Sequence, residues 1–251
     1  HEAWWHVAGG ERLREALRTV AARLPHVLQD VNDMYDRGSA DQRYCLERGF
    51  ACLRAGMHVS ITGGPGTGKT TVARVLAWLA VAMKMGKVRI CADTKAAAEH
   101  FARGMPHADG SINGIFQLGL MNQSEDYYVN EVMSQPNKRE LWCPDGGGVV
   151  FVEECDKAGI RKCTLLRNIA TRVRSSLVFV YLGDPYQICA ADDERRPKTD
   201  DGEFLLAADW HHAMFHGNVI ELRQNFRHDL ELRVRSDLVR RGVDVTDVVR
   251  G

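Results

Sequence analysis

A glycine-rich segment at residues 63–71 carries the residue types that hold a polyphosphate. It reads Gly63-Gly64-Pro65-Gly66-Thr67-Gly68-Lys69-Thr70-Thr71 and fits the pattern GxxxxGK[ST]. Glycines let a loop wrap phosphate oxygens with its backbone N–H groups, at a helix N-terminus that favours negative charge. Lys69 supplies a positive charge for the β- and γ-phosphates, and the Thr70 hydroxyl is suited to ligate Mg2+. The spacing therefore predicts a nucleoside triphosphate site at this segment.

The flanking sequence provides the elements that such a loop needs. Residues 57–61 form a short apolar run, and residues 72–83 place apolar side chains at helical spacing. Strand, glycine loop and helix in this order are the context in which the pattern binds phosphate. The alternative, a glycine-rich turn that binds no ligand, has little support in this context.

A second apolar strand ends in two carboxylates. Residues 149–152 are Val-Val-Phe-Val, followed by Glu153 and Glu154. Adjacent residues at a strand end point in different directions, so one carboxylate can face a metal ion and the other the γ-phosphate. We assign Glu153 to Mg2+ and Glu154 as the general base that activates water. In the alternative interpretation, the pair only caps a solvated strand end.

Two further strands lead to polar residues suited to a terminal phosphate. The apolar run at 177–182 continues into Gly183-Asp184-Pro185-Tyr186-Gln187, and the run at 219–222 leads to Arg227. The Gln187 amide can bond the γ-phosphate without cancelling its charge. The Arg227 guanidinium suits the charge on a transferred phosphoryl group. Taken alone, the first segment is an ordinary turn and the second an ordinary surface arginine.

Apolar strands alternate with helical patterns along the chain. This alternation predicts an α/β fold with a mainly parallel sheet covered by helices on both faces. Strands are expected at 88–92, 149–152, 177–182 and 219–222, and helices at 95–103, 112–118, 160–174, 204–215 and 230–241. Amphipathic helices are expected within 11–35, and the polar stretch 120–148 reads as an insertion.

Composition limits the class of protein. The 33 Lys and Arg residues balance 33 Asp and Glu residues, so any nucleic-acid site must come from local placement of charge. Seven cysteines without a CxxC pattern indicate reduced, buried thiols in an intracellular protein, whether nuclear, cytoplasmic or viral. No apolar stretch is long enough to span a membrane. No metal site is expected at His211, His212 and His216, because no third ligand or cysteine lies near them in sequence.

These segments, in this order, resemble the superfamily 1 helicases over roughly residues 41–228. Residues 63–71, 153–154, 183–187 and 222–227 are similar to the family's Walker A, Walker B, GDPxQ and arginine motifs. The resemblance implies a RecA-like P-loop NTPase fold that takes ATP and Mg2+. It also implies ATP hydrolysis coupled to movement on single-stranded DNA or RNA, with DNA favoured. GDPxQ and the compact spacing resemble the 5′-to-3′ branch, which includes RecD-type, maintenance and viral helicases.

The resemblance also implies the remaining site residues. Gln42 stands where the family's glutamine motif reads the adenine edge. Thr94, Ser111 and Asn113 stand in segments that contact the nucleic-acid backbone, and Tyr186 is assigned with them. Both strand-contacting motifs are individually weak.

Several residues depart from the family pattern. Glu153 replaces an aspartate and is one methylene longer, which puts metal positioning in question. Asp93 stands where proline is usual and adds a negative charge near the expected phosphate track. Ser111 and Asn113 replace threonine and histidine but keep hydrogen-bonding capacity.

The resemblance divides the chain into three parts. Residues 1–38 would be a helical extension, 39–228 a RecA-like domain, and 229–251 the start of a linker to a second RecA-like domain. Within the second part, 120–148 would be a small subdomain bearing a strand-separating pin, with Tyr127, Tyr128 and Trp142 as candidates to stack on bases. For any one of them, packing in a small satellite core is the favoured interpretation. A helicase moves by closing a cleft between two RecA-like domains. The single RecA-like domain at 39–228 is therefore expected to bind nucleotide and not to translocate.

Two other classes of function stay open at this point. One is another P-loop NTPase, such as an assembly ATPase or a small-molecule kinase. The other is a nucleic-acid-binding module that has lost hydrolysis because Glu153 replaces aspartate. An assay of phosphate release with and without single strands separates these classes.

Overall fold

A computed structural model describes the chain in several ranges. These are residues 13–20, 22–23, 31, 34, 37–102, 110–117, 123–185, 207–215 and 217–226. The predicted helix at 230–241 lies outside them, as does about half of the predicted helical region at 11–35, whose described residues are all helical.

A six-stranded sheet forms the centre of the described structure. Its strands are β1 (Val59–Gly63), β2 (Lys87–Ala92), β3 (Gly110–Ser111), β4 (Gly148–Glu153), β5 (Leu177–Gly183) and β6 (Val219–Leu222). They lie in the order β3-β2-β4-β5-β1-β6, and every neighbouring pair is parallel. All six strands therefore end at one edge of the sheet, which confirms the predicted α/β class.

Besides the helical region at 11–35, nine helices surround this sheet in the described part of the chain. They are α1 (Ala40–Arg54), α2 (Lys69–Ala82), α3 (Lys95–Phe101), α4 (Ile112–Phe116), α5 (Glu125–Ser134), α6 (Pro136–Trp142), α7 (Cys155–Ala158), α8 (Ile160–Arg172) and α9 (Ala207–Phe215). Helices α3, α4 and α8 end two residues earlier than their sequence patterns predict. In α8 the end follows from Arg174, whose left-handed φ of 53° stops the helix.

Two hydrophobic clusters cover the two faces of the sheet. Phe151 and Val180 belong to the cluster that packs against α1 and α2. Val150 and Phe179, their neighbours along β4 and β5, belong to the cluster that packs against α5, α6, α8 and α9. Successive strand residues thus point to opposite faces, and helices bury both, as the continuous apolar strands predict.

The segment expected to be an insertion packs on the sheet over its described part. Tyr128 and Trp142 are 4% and 0% exposed, and Trp142 lies 4.6 Å from Phe116 between ring centroids. The two therefore pack in a core, which confirms the favoured interpretation for them, and they are unavailable for stacking on bases. Tyr127 is 47% exposed and remains available. A strand-separating pin stays a prediction.

The described cysteines are free and mostly buried, as the sequence predicts. Six cysteines are described as free thiols, and five of them are buried. Within the described ranges, no helix combines the length and the apolar character needed to cross a membrane.

Candidate nucleotide-binding site

The glycine-rich segment forms the turn between β1 and α2, as its flanking patterns predict. Gly66 and Gly68 have φ angles of 80° and 87°, in the left-handed region that favours glycine. Thr67 Oγ1 donates a 2.8 Å hydrogen bond to the Gly64 carbonyl and closes the turn. Helix α2 begins at Lys69, so its N-terminus faces the loop. This arrangement has the geometry of a phosphate-binding loop.

Gln42 supports this loop from α1. Its Oε1 accepts a 3.0 Å hydrogen bond from the Ser39 N–H, and its Nε2 donates one of 3.0 Å to the Thr67 carbonyl. The residue is 5% exposed, and a Cβ at Gly68 would lie 2.2 Å from Nε2. The structure thus places Gln42 behind the loop, and its contact with adenine stays a prediction.

Lys69 lies folded over the loop. Its Nζ donates to the carbonyls of Gly63 and Gly64 at 2.6 and 3.0 Å. A triphosphate held by the loop would offer stronger acceptors in the same region, because phosphate oxygens are charged and carbonyls are not. The lysine is therefore placed to exchange these bonds for phosphate contacts.

Thr70 and Glu153 join the loop to the end of β4. Thr70 Oγ1 donates a 2.8 Å hydrogen bond to Glu153 Oε1, whereas Oε2 is buried without a hydrogen-bond partner among the described residues. Burial raises the pKa of Glu153, although the Thr70 bond and the Lys69 charge lower it in part. A buried carboxylate oxygen that lacks a partner favours a cation nearby.

The pair fits a magnesium ion. A hydroxyl and a carboxylate oxygen are ligands that Mg2+ accepts beside phosphate. The longer side chain of Glu153 still reaches Thr70, so the departure from aspartate leaves the two groups together. Thr70 and Glu153 would hold the ion, which would neutralise charge on the β- and γ-phosphates when bound.

Glu154 differs from its neighbour in its surroundings. It stands at the N-cap of α7 with a left-handed φ of 51°, and its carboxylate lies 2.7 Å from Lys157 Nζ. Left-handed backbone in a residue other than glycine is uncommon and is enriched at functional sites. The two acids thus face different partners, as expected at a strand end, and the role of Glu154 as base stays a prediction.

The ends of β5 and β6 lie beside the loop. Thr62 is in register with Gly183, so the Gly183–Gln187 segment starts next to β1. After β6, Asn225 Nδ2 donates 2.8 Å to the Pro65 carbonyl, and the Phe226 N–H donates 2.9 Å to the Gly66 carbonyl. The predicted site residues Tyr186, Gln187 and Arg227 lie outside the described residues, so their roles stay predictions.

A cavity of about 420 Å3 opens between α1, β6 and α9. Asp41, Tyr44, Thr62 and Arg223 are among its lining residues. Asp41 Oδ2 accepts the Arg223 N–H at 3.1 Å, which ties α1 to the segment after β6. A polar cavity thus adjoins the strand that carries the phosphate loop.

The candidate nucleic-acid residues that are described already make local contacts. Thr94 Oγ1 accepts the Ala97 N–H at 3.2 Å at the start of α3, and Ser111 Oγ accepts the Gly114 N–H at 3.2 Å in α4. Thr94 is exposed, and the side chain of Asn113 lies outside the description. Both hydroxyls lie at the ends of adjacent strands, which keeps nucleic-acid contact open as a prediction.

The structure brings together residues that the sequence analysis did not connect. Cys155, Asp156 and His211 place one potential ligand atom each within 4.8 Å of one another. The structure thus brings a cysteine and an aspartate to His211 that do not lie near it in sequence, and the expectation of no metal site there stays a prediction. His211 and Asp156 are 55 positions apart, and no local pattern in the sequence signals this contact.

Known proteins share a family domain and a fold with this chain. A family model described as an AAA domain matches residues 39–194. The crystal structure of Pif1 helicase from Candida albicans is similar at a TM-score of 0.62 and 19% identity, over 84% of this chain and 46% of that one. The structure of C. elegans PCH-2 is similar at a TM-score of 0.38 and 16% identity, over 80% of this chain and 48% of that one. No curated protein matches.

The likeness to the Pif1 structure concerns the fold. It confirms the predicted RecA-like P-loop NTPase architecture. This chain spans less than half the length of that helicase.

Proposed function

The chain belongs to the AAA-domain family, and from this premise we propose that it is the ATP-binding motor domain of a superfamily 1 helicase. One observation carries the proposal. Lys69, Thr70 and Glu153 meet at the phosphate loop, and the segment leading to Arg227 is hydrogen-bonded to that same loop. A triphosphate with a metal ion requires this combination of ammonium, hydroxyl and carboxylate.

ATP would lie along the carboxyl edge of the sheet. The loop and the N-terminus of α2 would hold the phosphates, and Lys69 would turn from the carbonyls of Gly63 and Gly64 to the β- and γ-phosphates. The cavity lined by Asp41 and Tyr44 adjoins β1 and is a suitable place for the base. This location is the usual one for ligands of open α/β sheets.

Hydrolysis would depend on residues around the γ-phosphate. Glu154 would accept a proton from the attacking water, after its ion pair with Lys157 opens. Gln187 would hydrogen-bond the γ-phosphate, and Arg227 would stabilise charge as the phosphoryl group transfers. The hydrogen bond from Phe226, the residue before Arg227, to the loop supports this assignment.

Single-stranded nucleic acid, DNA rather than RNA, would cross the same edge of the sheet. Thr94, Ser111 and Asn113 lie at or just after the ends of β2 and β3, and Tyr186 follows β5 in sequence. Contacts there would be mainly to the backbone of the strand. Movement along it would need a second RecA-like domain, because the motor works by closing a cleft.

Phosphate release by the full-length protein tests the proposal. Single-stranded DNA is expected to stimulate turnover, and Gln187→Ala is expected to lose that stimulation while nucleotide binding is kept. Gln123→Ala, an exposed glutamine before α5, is the matched control. If single strands neither bind nor stimulate, or if phosphate passes to a small-molecule acceptor, the helicase proposal fails.

A further inference from the structure

A histidine, a serine and an aspartate form a hydrogen-bonded chain beneath the nucleotide site. His211 Nδ1 lies 2.7 Å from Ser60 Oγ, and His211 Nε2 lies 3.2 Å from Asp156 Oδ1. The three residues are 0%, 0% and 2% exposed for His211, Ser60 and Asp156. Buried polar groups at these distances hold a fixed mutual arrangement, because breaking a bond leaves an unsatisfied partner.

The protons in this chain have one simple arrangement with a neutral imidazole. A carboxylate only accepts, so the ring donates from Nε2–H to Asp156. Nδ1 then accepts from the Ser60 hydroxyl, and both ring nitrogens are satisfied. Cys155 Sγ also donates to the other Asp156 oxygen at 3.8 Å. The Asp156 carboxylate is thereby held from two sides.

The three residues belong to the three elements that build the site. Ser60 lies in β1, which leads into the phosphate loop, and Asp156 lies in α7, which begins directly after Glu154. Residues 153–156, which run from the end of β4 into α7, are called the acidic turn. His211 lies in α9, which precedes β6. Its imidazole therefore bridges the phosphate-loop strand and the turn that carries the two acids.

The turn has little room to shift against β5. A Cβ at Gly183 would lie 1.9 Å from Asp156 Oδ2 and 2.7 Å from Cys155 Sγ. Close packing of this kind passes a displacement on instead of absorbing it. A shift of Asp156 after loss of the His211 bond would thus be passed on to the adjoining acids.

We propose that His211 is a positioning residue that fixes the acidic turn, residues 153–156, against the phosphate-loop strand. It keeps Glu153 next to Thr70 and Glu154 in reach of the γ-phosphate. The inference rests on the proposed nucleotide site and assigns to that site a support outside the known motifs. His211 also lines the cavity beside β1, so the support borders the place suggested for the base.

The same cluster has the donor types of a metal site. Cys155, Asp156 and His211 offer sulfur, oxygen and nitrogen within 4.8 Å. The completed hydrogen bonds favour the proton-bridged arrangement, since a metal would have to displace the protons that now join the cysteine and the histidine to Asp156. A bound metal is therefore an outcome that the experiment must detect.

Two substitutions of His211 separate its two bonds. In His211→Asn the new side-chain amide lies near the position of Nδ1 and can keep the contact with Ser60. In His211→Gln the longer side chain carries its amide toward Asp156. Affinity for a fluorescent ATP analogue is measured with and without Mg2+ on the full-length protein, together with turnover and thermal unfolding. His100→Asn, an exposed histidine on α3, is the control.

The proposal predicts a selective loss. His211→Asn is expected to lose about tenfold of the Mg2+-dependent gain in affinity and a similar factor in turnover, with Mg2+-free binding unchanged. His211→Gln is expected to restore most of both. If His211→Asn fails to fold, Ser60→Ala takes its place. This substitution removes only the bond between Ser60 and His211 and is expected to show a smaller loss of the same kind.

Other outcomes would overturn the inference. The inference fails if folded His211→Asn keeps the wild-type turnover and the wild-type gain in ATP affinity with Mg2+. It also fails if binding without Mg2+ and binding with Mg2+ are weakened equally. Stoichiometric zinc in the purified wild type, with unfolding on chelation, would replace it by a metal site. A wild type that binds no nucleotide would overturn the proposed function itself, and this inference with it.

Discussion

At the scale of single residues, Glu153 determines how the site handles charge. It lies in a buried position, bonds Thr70 through one oxygen and leaves the other without a partner among the described residues. Burial raises its pKa, so holding it ionised costs folding free energy unless a cation is near. The residue therefore links metal binding, protonation and stability.

We predict that Glu153→Gln abolishes the Mg2+-dependent gain in ATP affinity and stabilises the metal-free fold at neutral pH. A raised pKa in the folded state means that this group favours folding at low pH and that the benefit is lost as pH rises through the folded pKa. Glutamine removes that loss. The check is thermal unfolding without Mg2+ across the acidic to neutral range.

The stabilisation by Glu153→Gln should vanish at low pH, where the carboxyl of the wild type is protonated. Glu140→Gln, whose side chain is 73% exposed, is the control and should show no such pH dependence. A Glu153→Gln variant that is less stable than the wild type at neutral pH would contradict the account.

Glu154 has a separate role and a separate test. We predict that Glu154→Gln lowers ATP turnover by about 100-fold or more, because a general base is lost, while nucleotide affinity is kept. Lys157→Ala removes its ion-pair partner and should leave turnover at least as high as in the wild type. Equal turnover in Glu154→Gln and wild type, measured by phosphate release, would assign the base to another group.

At the scale of elements, the phosphate loop is held from two sides. Helix α1 reaches it through Gln42, and the segment after β6 reaches it through Asn225 and Phe226. Asp41 joins α1 to that segment by accepting the Arg223 N–H. The loop is thus supported before any ligand arrives, which reduces the ordering cost of binding.

Gln42→Ala tests this support against the adenine contact. It removes part of the capping box and the bond to Thr67, so we expect a loss of about 1–2 kcal/mol in the free energy of unfolding. Support of the loop alone predicts that the affinities for ATP and GTP fall by the same factor, since the loop serves both. A fall confined to ATP, measured by titration calorimetry, would show instead that Gln42 reads the base.

The predictability of each element follows from what its residues signal. Strands β4 and β5 are continuous apolar runs, so their positions are predicted to within one or two residues. Helices α5 and α6 lie in a polar stretch, where Tyr128 and Trp142 resemble surface aromatics until the sheet beneath them is known. The pattern of apolar residues along the sequence thus predicts elements with strong periodicity. It does not predict the packing of elements in which apolar residues are sparse.

The candidate site shows the same division. The loop and the Glu153–Glu154 pair have a fixed local spacing, so the sequence predicts them. The contacts of His211 join positions separated by 151 residues to Ser60 and 55 residues to Asp156, and no spacing rule connects them. Only the crossing of strands and helices brings such groups together.

At the scale of the whole molecule, parallel strands bring the separate motifs to one edge of the sheet. The ends of β1, β4, β5 and β6 lie side by side. The candidate nucleic-acid-binding residues follow β2 and β3 at the same edge. The net charge of zero gives the molecule no general attraction for a polyanion. Affinity for single strands must therefore depend on individual charges along this edge.

Asp93 allows that dependence to be measured. It pairs with Lys162 at the end of β2, beside Thr94. We predict that Asp93→Asn raises the affinity for single-stranded DNA, because a negative charge is removed from the proposed track and Lys162 is released to face phosphates. The affinity is measured by fluorescence anisotropy over a series of salt concentrations. Asp145→Asn, which changes an exposed aspartate before β4, is the control. Unchanged DNA affinity in Asp93→Asn would show that the nucleic acid binds elsewhere.

A structure of the full-length protein with a non-hydrolysable ATP analogue and Mg2+ would show whether the separate motifs meet at one terminal phosphate. We predict that the γ-phosphate lies within hydrogen-bonding distance of Lys69, Gln187 and Arg227, with Glu154 facing the position of the attacking water. Thr70 and Glu153 should hold the metal. A triphosphate bound away from the loop, or a γ-phosphate that none of these side chains approaches, would contradict it.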